Sequence, residues 1–139
     1  QDLGALKQTK TELLRLAKAA GINLSVNYVN KAVSNIIEDG TDQKFDLIYS
    51  AGLFDYFGDK YAYLVAKALF DSVAESGELI IGNFNTINPS RFLMECVGDW
   101  HLKHRSIEDL TKIYSEITEN LKIEAEEQNI NLFAILKNR

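Results

Sequence analysis

The chain has 139 residues, 46% of them hydrophobic and 25% charged, and this composition is typical of one soluble globular domain. A net charge of −5 argues against a large nucleic-acid interface, and no apolar run is long enough to span a membrane. Cys96 is the single cysteine, which excludes an intrachain disulfide and a cysteine metal cluster. A single cysteine also favours a reducing, cytoplasmic location.

The first part of the chain alternates between helical and strand periods. Apolar residues at helical spacing predict a first helix that Gly21 ends. Alternation predicts a strand with one wet face over Ile22 to Tyr28, and a short helix follows over Lys31 to Glu38. The denser apolar run of Phe45 to Ser50 predicts a second strand, covered on both faces.

A helix and a third strand come next. Asp59 is the predicted N-cap of the helix, and the buried stripe of the helix extends to Val73. Ser76-Gly77 is predicted to end this helix. Leu79 to Phe84 is a dense apolar run that predicts a central strand.

The last third of the chain predicts two helices and a hairpin. Asn88-Pro89 has the pattern of an N-cap followed by proline, and Ser106 with Asp109 that of a reciprocal capping box. Leu121 to Glu127 and Ile130 to Lys137 lie too close in sequence for a crossover, so they must form an antiparallel hairpin. Four residues of the helix after Asn88-Pro89 are expected to point inward, which would make Cys96 an inert core thiol. They are Phe92, Leu93, Cys96 and Val97.

Alternating strands and helices predict an α/β fold with a parallel sheet, here closed by an antiparallel hairpin. The segment Lys44 to Phe57 is an apolar strand, then small residues, then an aromatic-acidic loop, and it resembles the middle of class I S-adenosylmethionine-dependent methyltransferases. The resemblance implies a Rossmann-like sheet, mostly parallel, that lacks its first two strands. Residues 1–139 would then be a partial methyltransferase domain, from the end of the second strand to the last strand, and a fragment of a longer protein.

The resemblance also implies S-adenosylmethionine as cofactor. The glycine-rich cofactor loop of the family has no counterpart here, because the eight glycines are scattered singly. We therefore expect weak or no cofactor binding by this chain alone. The remaining cofactor positions of the family are the ribose-binding acid, the turn beside adenine and the strand end below the sulfur. They fall on Asp2 or just before residue 1; on Asn30, Lys31, Ala32 and Val33; and on Ser50, Ala51 and Gly52.

The candidate catalytic residues are Asp55, Tyr56 and His101. Asp55 follows the strand end, where a carboxylate can orient a substrate hydroxyl or accept its proton. The alternative for Asp55 is a loop charge beside the next helix, and the alternative for His101 as a general base is a structural role. Tyr56 belongs to an aromatic cluster that can wall an apolar pocket or pack in the core. The other members are Tyr49, Phe54 and Phe57.

Five residues are candidates for binding the substrate, namely Phe54, Asn83, Asn85, Arg91 and Trp100. The asparagines follow a strand, where an amide can donate to a carbonyl or cap a turn. Arg91, at a helix start, suits an anionic group or simply a solvated surface. The segment Lys103 to Arg105 is a short basic cluster that we interpret as a solvated helix end. The two histidines lack a companion acid, so we predict no metal site.

Four further segments narrow the resemblance: Tyr49 to Tyr56, Gly82 to Phe84, Asn88 to Arg91 and Asp99 to Leu102. They are similar to a bacterial methyltransferase group linked to fatty-acid methyl ester biosynthesis. The resemblance thus implies an enzyme that, at full length, transfers a methyl group to an oxygen of a small or lipid-like acceptor. The alternative is a degenerate, non-catalytic module for partner binding or oligomerisation.

The missing strands predict an exposed sheet edge. In the family, the strand equivalent to Phe45 to Ser50 is central, so loss of its neighbours leaves an edge that invites pairing. We expect Ile22 to Tyr28 to move beside this strand, or a second copy of the chain to cover it in a homo-oligomer.

Overall fold

A computed structural model of the protein describes residues 3–29, 32–39 and 43–139. The chain divides between Asn35 and Ile36 into two compact units. Helix α1, Leu3–Ala19, belongs to the first unit, and Gly21 follows it with a φ of 68°, as predicted for a glycine that ends a helix. Helix α2, Ser34–Asp39, contains the point of division. None of the helices in the described ranges combines the length and apolar character that crossing a membrane requires.

The segment Ile22 to Tyr28 is not a strand, contrary to its alternating pattern. A strand needs a neighbour to satisfy its backbone groups, and no strand of the described sheet pairs with this segment. The predicted pairing with Phe45 to Ser50 is therefore wrong as well.

The second unit contains a four-stranded sheet. Its strands are β1, Phe45–Ser50; β2, Val73–Phe84; β3, Leu121–Ala125; and β4, Asn131–Lys137. The order is β1-β2-β4-β3, with β1 parallel to β2 and the other two pairings antiparallel. The α/β fold with a closing hairpin is thus confirmed, and among the strands of the described sheet parallel pairing is confined to β1 and β2.

Two helices pack on each other and on this sheet, α3, Asp59–Phe70, and α5, Ile107–Tyr114. The predicted capping box of α5 is confirmed, because Ser106 Oγ accepts from Asp109 N at 3.2 Å and Asp109 Oδ2 accepts from Ser106 N at 2.9 Å. The core between helices and sheet consists of apolar side chains with no exposed surface. They are Ala62, Val65 and Ala66 of α3, Leu110 and Tyr114 of α5, and Leu79, Ile81, Leu132, Ala134 and Leu136 of the sheet.

Two boundaries around α3 differ from the prediction. Gly58 is the N-cap, and Asp59 is the first helical residue. The helix ends at Phe70, so that Val73 begins β2 instead of completing the helical stripe. Ser76 and Gly77 lie inside β2, where the register with β1 shifts and Ser76 has a φ of 65°. This bulge is held by Asn138, whose carbonyl oxygen accepts from Ser76 N at 2.7 Å.

Helix α4, Arg91–Cys96, begins after the Asn88-Pro89 turn instead of within it. Asn88 Oδ1 accepts from Ser90 N at 2.9 Å, which closes a turn ahead of the helix. Phe92 and Val97 are each 75% exposed, and Leu93 and Cys96 are exposed too. The predictions that these residues point inward and that Cys96 is a core thiol are therefore wrong.

Strand β1 is more exposed than its apolar sequence predicts. Leu47 and Tyr49 are 56% and 64% exposed, whereas Ile48 and Ser50, on the opposite face, are half-buried. In the described sheet β1 pairs only with β2, and cover of its second edge by another copy of the chain stays a prediction. The prediction of a strand covered on both faces is wrong.

Gly77→Ala is expected to destabilise the protein by about 1–3 kcal/mol. A Cβ at this position would stand 2.8 Å from the Asp46 carbonyl oxygen and 3.0 Å from that of Phe45, so the backbone of β1 would have to move. Urea unfolding measures the loss. Gly58→Ala is the control, because a Cβ there meets no described atom within 4 Å. Equal losses in the two variants would contradict this account of the bulge.

Candidate active site

The carboxyl ends of β1 and β2 lie side by side, since Ser50 is the register partner of Ile81. Beyond Ser50, a link of small residues leads into a single 3₁₀ turn, Phe54–Tyr56, which we call the Asp55 turn. Gly52 in this link has a φ of 76°, a conformation that side chains disfavour. The chain can therefore reverse sharply at the strand end and bring the Asp55 turn back toward β2.

A cleft of ≈ 480 Å³ lies at these strand ends. Apart from one carboxyl group, its walls are apolar or aromatic, which is typical of sites for small molecules. The lining residues are Ala51, Gly52, Leu53, Asp55, Tyr56, Phe84, Trp100 and Leu102.

Asp55 is the ionisable carboxyl of this cleft and is 1% exposed. Its Oδ1 accepts from Phe84 N at 2.8 Å, at the end of β2, and its backbone carbonyl accepts from Lys103 N at 2.7 Å. Burial raises the pKa of Asp55, although the Phe84 hydrogen bond and the charges of Arg105 and His104 oppose the shift. Asp55 is thus an acid with a perturbed pKa that lines a cleft, a combination typical of functional sites.

Tyr56 and Trp100 form one rim of the cleft. Trp100 Nε1–H donates to Tyr56 Oη at 2.8 Å, and the Trp100 ring meets Phe84 edge-on with centroids 6.4 Å apart. Phe84 in turn stacks on the His104 ring at 5.6 Å. The structure therefore brings Trp100 beside Asp55 and Tyr56, which lie 44 residues or more away in the sequence.

The other aromatic candidates do not line the cleft. Phe54 is fully buried and packs edge-on against Phe57 at 5.4 Å, and Phe57 packs against Tyr61 at 4.9 Å. Tyr49 lies on the exposed face of β1. Phe54 thus anchors the Asp55 turn in the core, and because its ring has no exposed surface it is not available to contact a substrate in the cleft.

Asn83 and Asn85 use their amides within the fold. Asn83 Nδ2 donates to the carbonyls of Phe84 and Lys103, both at 2.9 Å, so neither of its hydrogens is left for a substrate. Asn85 Nδ2 donates to Asn129 O at 2.9 Å, which ties the end of β2 to the hairpin loop. Neither residue lines the cleft, and both amides tie distant segments together instead of capping a turn.

His101 and Arg91 do not line the cleft. The His101 side chain is 68% exposed, with Nε2 at 3.1 Å from Asp99 Oδ1. Arg91 Nε donates to Glu95 Oε1 at 2.8 Å on the surface of α4. The residues that line the cleft include Asp55 and not His101.

The predicted cofactor positions are described in part. Ala51 and Gly52 line the cleft, and Ser50 precedes them at the end of β1. Ala32 and Val33 belong to the first unit, in which Ala32 N donates to Asn35 Oδ1 at 3.1 Å. Asp2, Asn30 and Lys31 lie outside the described residues.

Arg105 is the residue that sequence reasoning missed. It is 2% exposed, not a solvated helix end, and its guanidinium reaches Phe54, Phe57, Asp59 and Asn83. Its neighbours Lys103 and His104 are basic as well, and no local pattern separates the buried member of such a cluster from the exposed ones.

No protein-family model and no curated protein matches the sequence. Solved structures do match. An O-methyltransferase family protein from Burkholderia thailandensis has a TM-score of 0.68 at 14% identity, over 99% of this chain and 42% of that protein. The magnesium protoporphyrin IX methyltransferase from Synechocystis PCC 6803, solved with bound SAH, has a TM-score of 0.59 at 8% identity, over 91% of this chain and 57% of that one.

A third match is an O-methyltransferase family 2 protein from Planctomyces limnophilus in complex with apigenin, with a TM-score of 0.55 at 11% identity, over 75% of this chain and 33% of that protein. At such identities the likeness shows the fold. The chain has the fold of the carboxyl-terminal part of a class I S-adenosylmethionine-dependent methyltransferase. It spans 33% to 57% of the length of these three proteins.

Asp55→Asn is expected to stabilise the protein, and by more at pH 7 than at pH 3. The pKa of Asp55 in the folded state is raised above its ordinary value of 3.8, so the protonated carboxyl contributes its full stability below that value. This contribution to stability is lost as the pH rises through the folded-state pKa and the buried carboxyl ionises. Asparagine cannot ionise, so the variant avoids this loss. Urea unfolding at both pH values measures the difference. Asp71→Asn, at an exposed carboxylate paired with Lys67, is the control. A gain in stability that does not depend on pH would contradict the raised pKa.

Proposed function

We propose that the protein is an S-adenosylmethionine-dependent methyltransferase in which this chain forms the acceptor side of the active site. The methyl acceptor is an oxygen of a small or lipid-like molecule. The observation that carries the proposal is a single buried carboxyl, Asp55, in an otherwise apolar cleft at the carboxyl ends of two parallel strands. Ligands of α/β proteins bind at this edge of the sheet.

The small residues at the end of β1 fit a cofactor on this side. A Cβ on Gly52 would stand 3.6 Å from Asp55 Oδ2, so any larger residue would fill the cleft beside the carboxyl. Ser50, Ala51 and Gly52 would hold the cofactor here, and the resemblance adds Asp2, Asn30, Lys31, Ala32 and Val33. When bound, S-adenosylmethionine supplies a methyl group that its sulfonium has already activated.

The residues of this chain then have to orient the acceptor and exclude water. Asp55 Oδ1 is occupied by Phe84 N, and no hydrogen bond holds Oδ2 within the described residues. Oδ2 is therefore the atom that accepts the proton of an acceptor hydroxyl. A raised pKa makes the carboxylate a stronger base than an exposed aspartate. The rings of Tyr56, Phe84 and Trp100 offer the apolar surface that a lipid-like or cyclic acceptor needs.

In the full-length protein, Asp55→Asn is expected to lower kcat for methyl transfer to a hydroxyl about 100-fold, the lower range for loss of a positioned base. The assay uses isotopically labelled S-adenosylmethionine and a panel of hydroxy acids and hydroxy fatty acids, read by mass spectrometry. Asp71→Asn is the matched control and should keep its activity. The chain of 139 residues alone is expected to be inactive. Full activity of Asp55→Asn would contradict the role of Asp55 as a base. The absence of any methylated product with the wild-type protein would contradict the proposed methyltransferase activity.

A specific observation favours the alternative, a non-catalytic module that assembles with its own copies. Strand β1 has a free edge in the described sheet and exposes Leu47 and Tyr49 beside it. An unprotected apolar edge of this kind promotes pairing between chains. A homo-oligomer through β1 is compatible with the enzyme as well, because the cleft opens at the strand ends and not along the edge.

Leu47→Lys is expected to convert an oligomer of this chain to a monomer, because a charge on an edge strand opposes pairing. Analytical ultracentrifugation over a concentration series measures the mass. The control is Leu64→Lys, which charges an exposed apolar position of α3 away from the edge and should leave the oligomer intact. A wild-type chain that stays monomeric at every concentration would contradict the proposed interface.

A further inference from the structure

The Arg105 side chain is buried among segments that surround the cleft. Nη1 donates to Phe54 O at 3.0 Å and to Asn83 Oδ1 at 2.6 Å. Nη2 donates to Phe57 O at 2.5 Å and to Asp59 Oδ1 at 3.0 Å, and Nε donates to the same carboxylate oxygen at 3.1 Å. The planar guanidinium therefore has partners on all three of its nitrogens.

The two backbone carbonyls that Arg105 binds, those of Phe54 and Phe57, lie on either side of Asp55 and Tyr56. Asp55 and Tyr56 are the two residues of the turn that line the cleft. Binding both carbonyls to one rigid group fixes the backbone between them. Lysine cannot reproduce this, because a single ammonium has no planar fork.

The backbone of the same residue fixes the opposite wall. Arg105 N donates to Phe84 O at 2.9 Å, and Lys103 N donates to Asp55 O at 2.7 Å. The Arg105 bond holds the segment that carries Trp100 and Leu102 against the end of β2, and the bond from the nearby Lys103 holds the same segment against the Asp55 turn. One residue thus links both walls of the cleft without lining it.

We propose that Arg105 is a positioning residue, whose guanidinium holds the Asp55 turn so that the Asp55 carboxyl and the Tyr56 ring face the cleft. The consequence for reaction rate rests on the proposed methyltransferase function. The placement of Asp55 and Tyr56 does not, and it can be measured on this chain without any substrate.

The test is Arg105→Lys, followed by hydrogen exchange in NMR spectra. Phe84 N–H donates to Asp55 Oδ1, and the indole N–H of Trp100, the single tryptophan, donates to Tyr56 Oη. Both protons should exchange at least tenfold faster in the variant. The Ile81 amide, in the part of β2 that pairs with both β1 and β4, is the internal reference and should change far less.

Leu136→Ala is the matched control for general loss of stability. Leu136 is fully buried in β4, where it is the register partner of Leu79, and it forms none of the hydrogen bonds of Arg105, so its truncation should speed exchange at all three sites together. A selective effect of Arg105→Lys at Phe84 and Trp100 supports the proposal. A uniform increase, or no change in a folded variant, overturns it. So does an Arg105→Lys chain that stays unfolded in 1 M sucrose, since Arg105 is then a determinant of overall stability.

In the full-length protein, the same variant is expected to lower kcat at least tenfold while KM for S-adenosylmethionine changes little. A wild-type protein without methyl transfer counts against the proposed function alone, and the exchange rates still decide the role of Arg105. An active protein whose kcat is unaffected by Arg105→Lys overturns the positioning role in catalysis.

Discussion

The burial of the Arg105 guanidinium constrains everything at the ends of β1 and β2. A charge withdrawn from water is destabilising unless it is paired and its donors are satisfied. Asp59, whose side chain is 72% exposed, supplies the opposite charge from the surface, and two carbonyls and the Asn83 amide oxygen accept the remaining hydrogens. Because these acceptors come from the Asp55 turn, the start of α3 and the end of β2, the charge can be satisfied only when all three segments are in place together.

The same neighbourhood contains two groups that do not favour folding. Burial raises the pKa of Asp55, so its carboxylate is held at some expense of stability. Burial also raises the pKa of Tyr114, and its Oη has no hydrogen-bond partner among the described residues. A buried hydroxyl without a partner is destabilising, so phenylalanine would fill the Tyr114 position more favourably. At position 55 the carboxyl keeps one compensation, because its Oδ1 accepts from Phe84 N.

Local patterns in the sequence predicted what local interactions decide. The capping box of Ser106 and Asp109 closes within one turn, and the short connection after β3 allows only a hairpin, so both are confirmed. The limits of β2 depend on distant partners. Ser76 and Gly77 have the composition of a helix end, but Asn138 and the backbone of β1 draw them into a bulged strand. No window of sequence around Gly77 contains that information.

The site was predictable at the level of strand ends and not of side chains. The position of Asp55 after β1 followed from topology, since parallel strands place their carboxyl ends at one edge. The roles of Arg105 and His101 could not follow, because both are basic residue types in one short segment, and only the fold decides that one is buried and the other exposed. The apolar faces of β1 and α4 were predicted to be buried, and the fold leaves them exposed. Apolar periodicity shows which face would gain by burial, but the gain exists only where another surface is present to cover it. Leu47 and Phe92 are exposed within the described residues for that reason, although their patterns are those of buried positions.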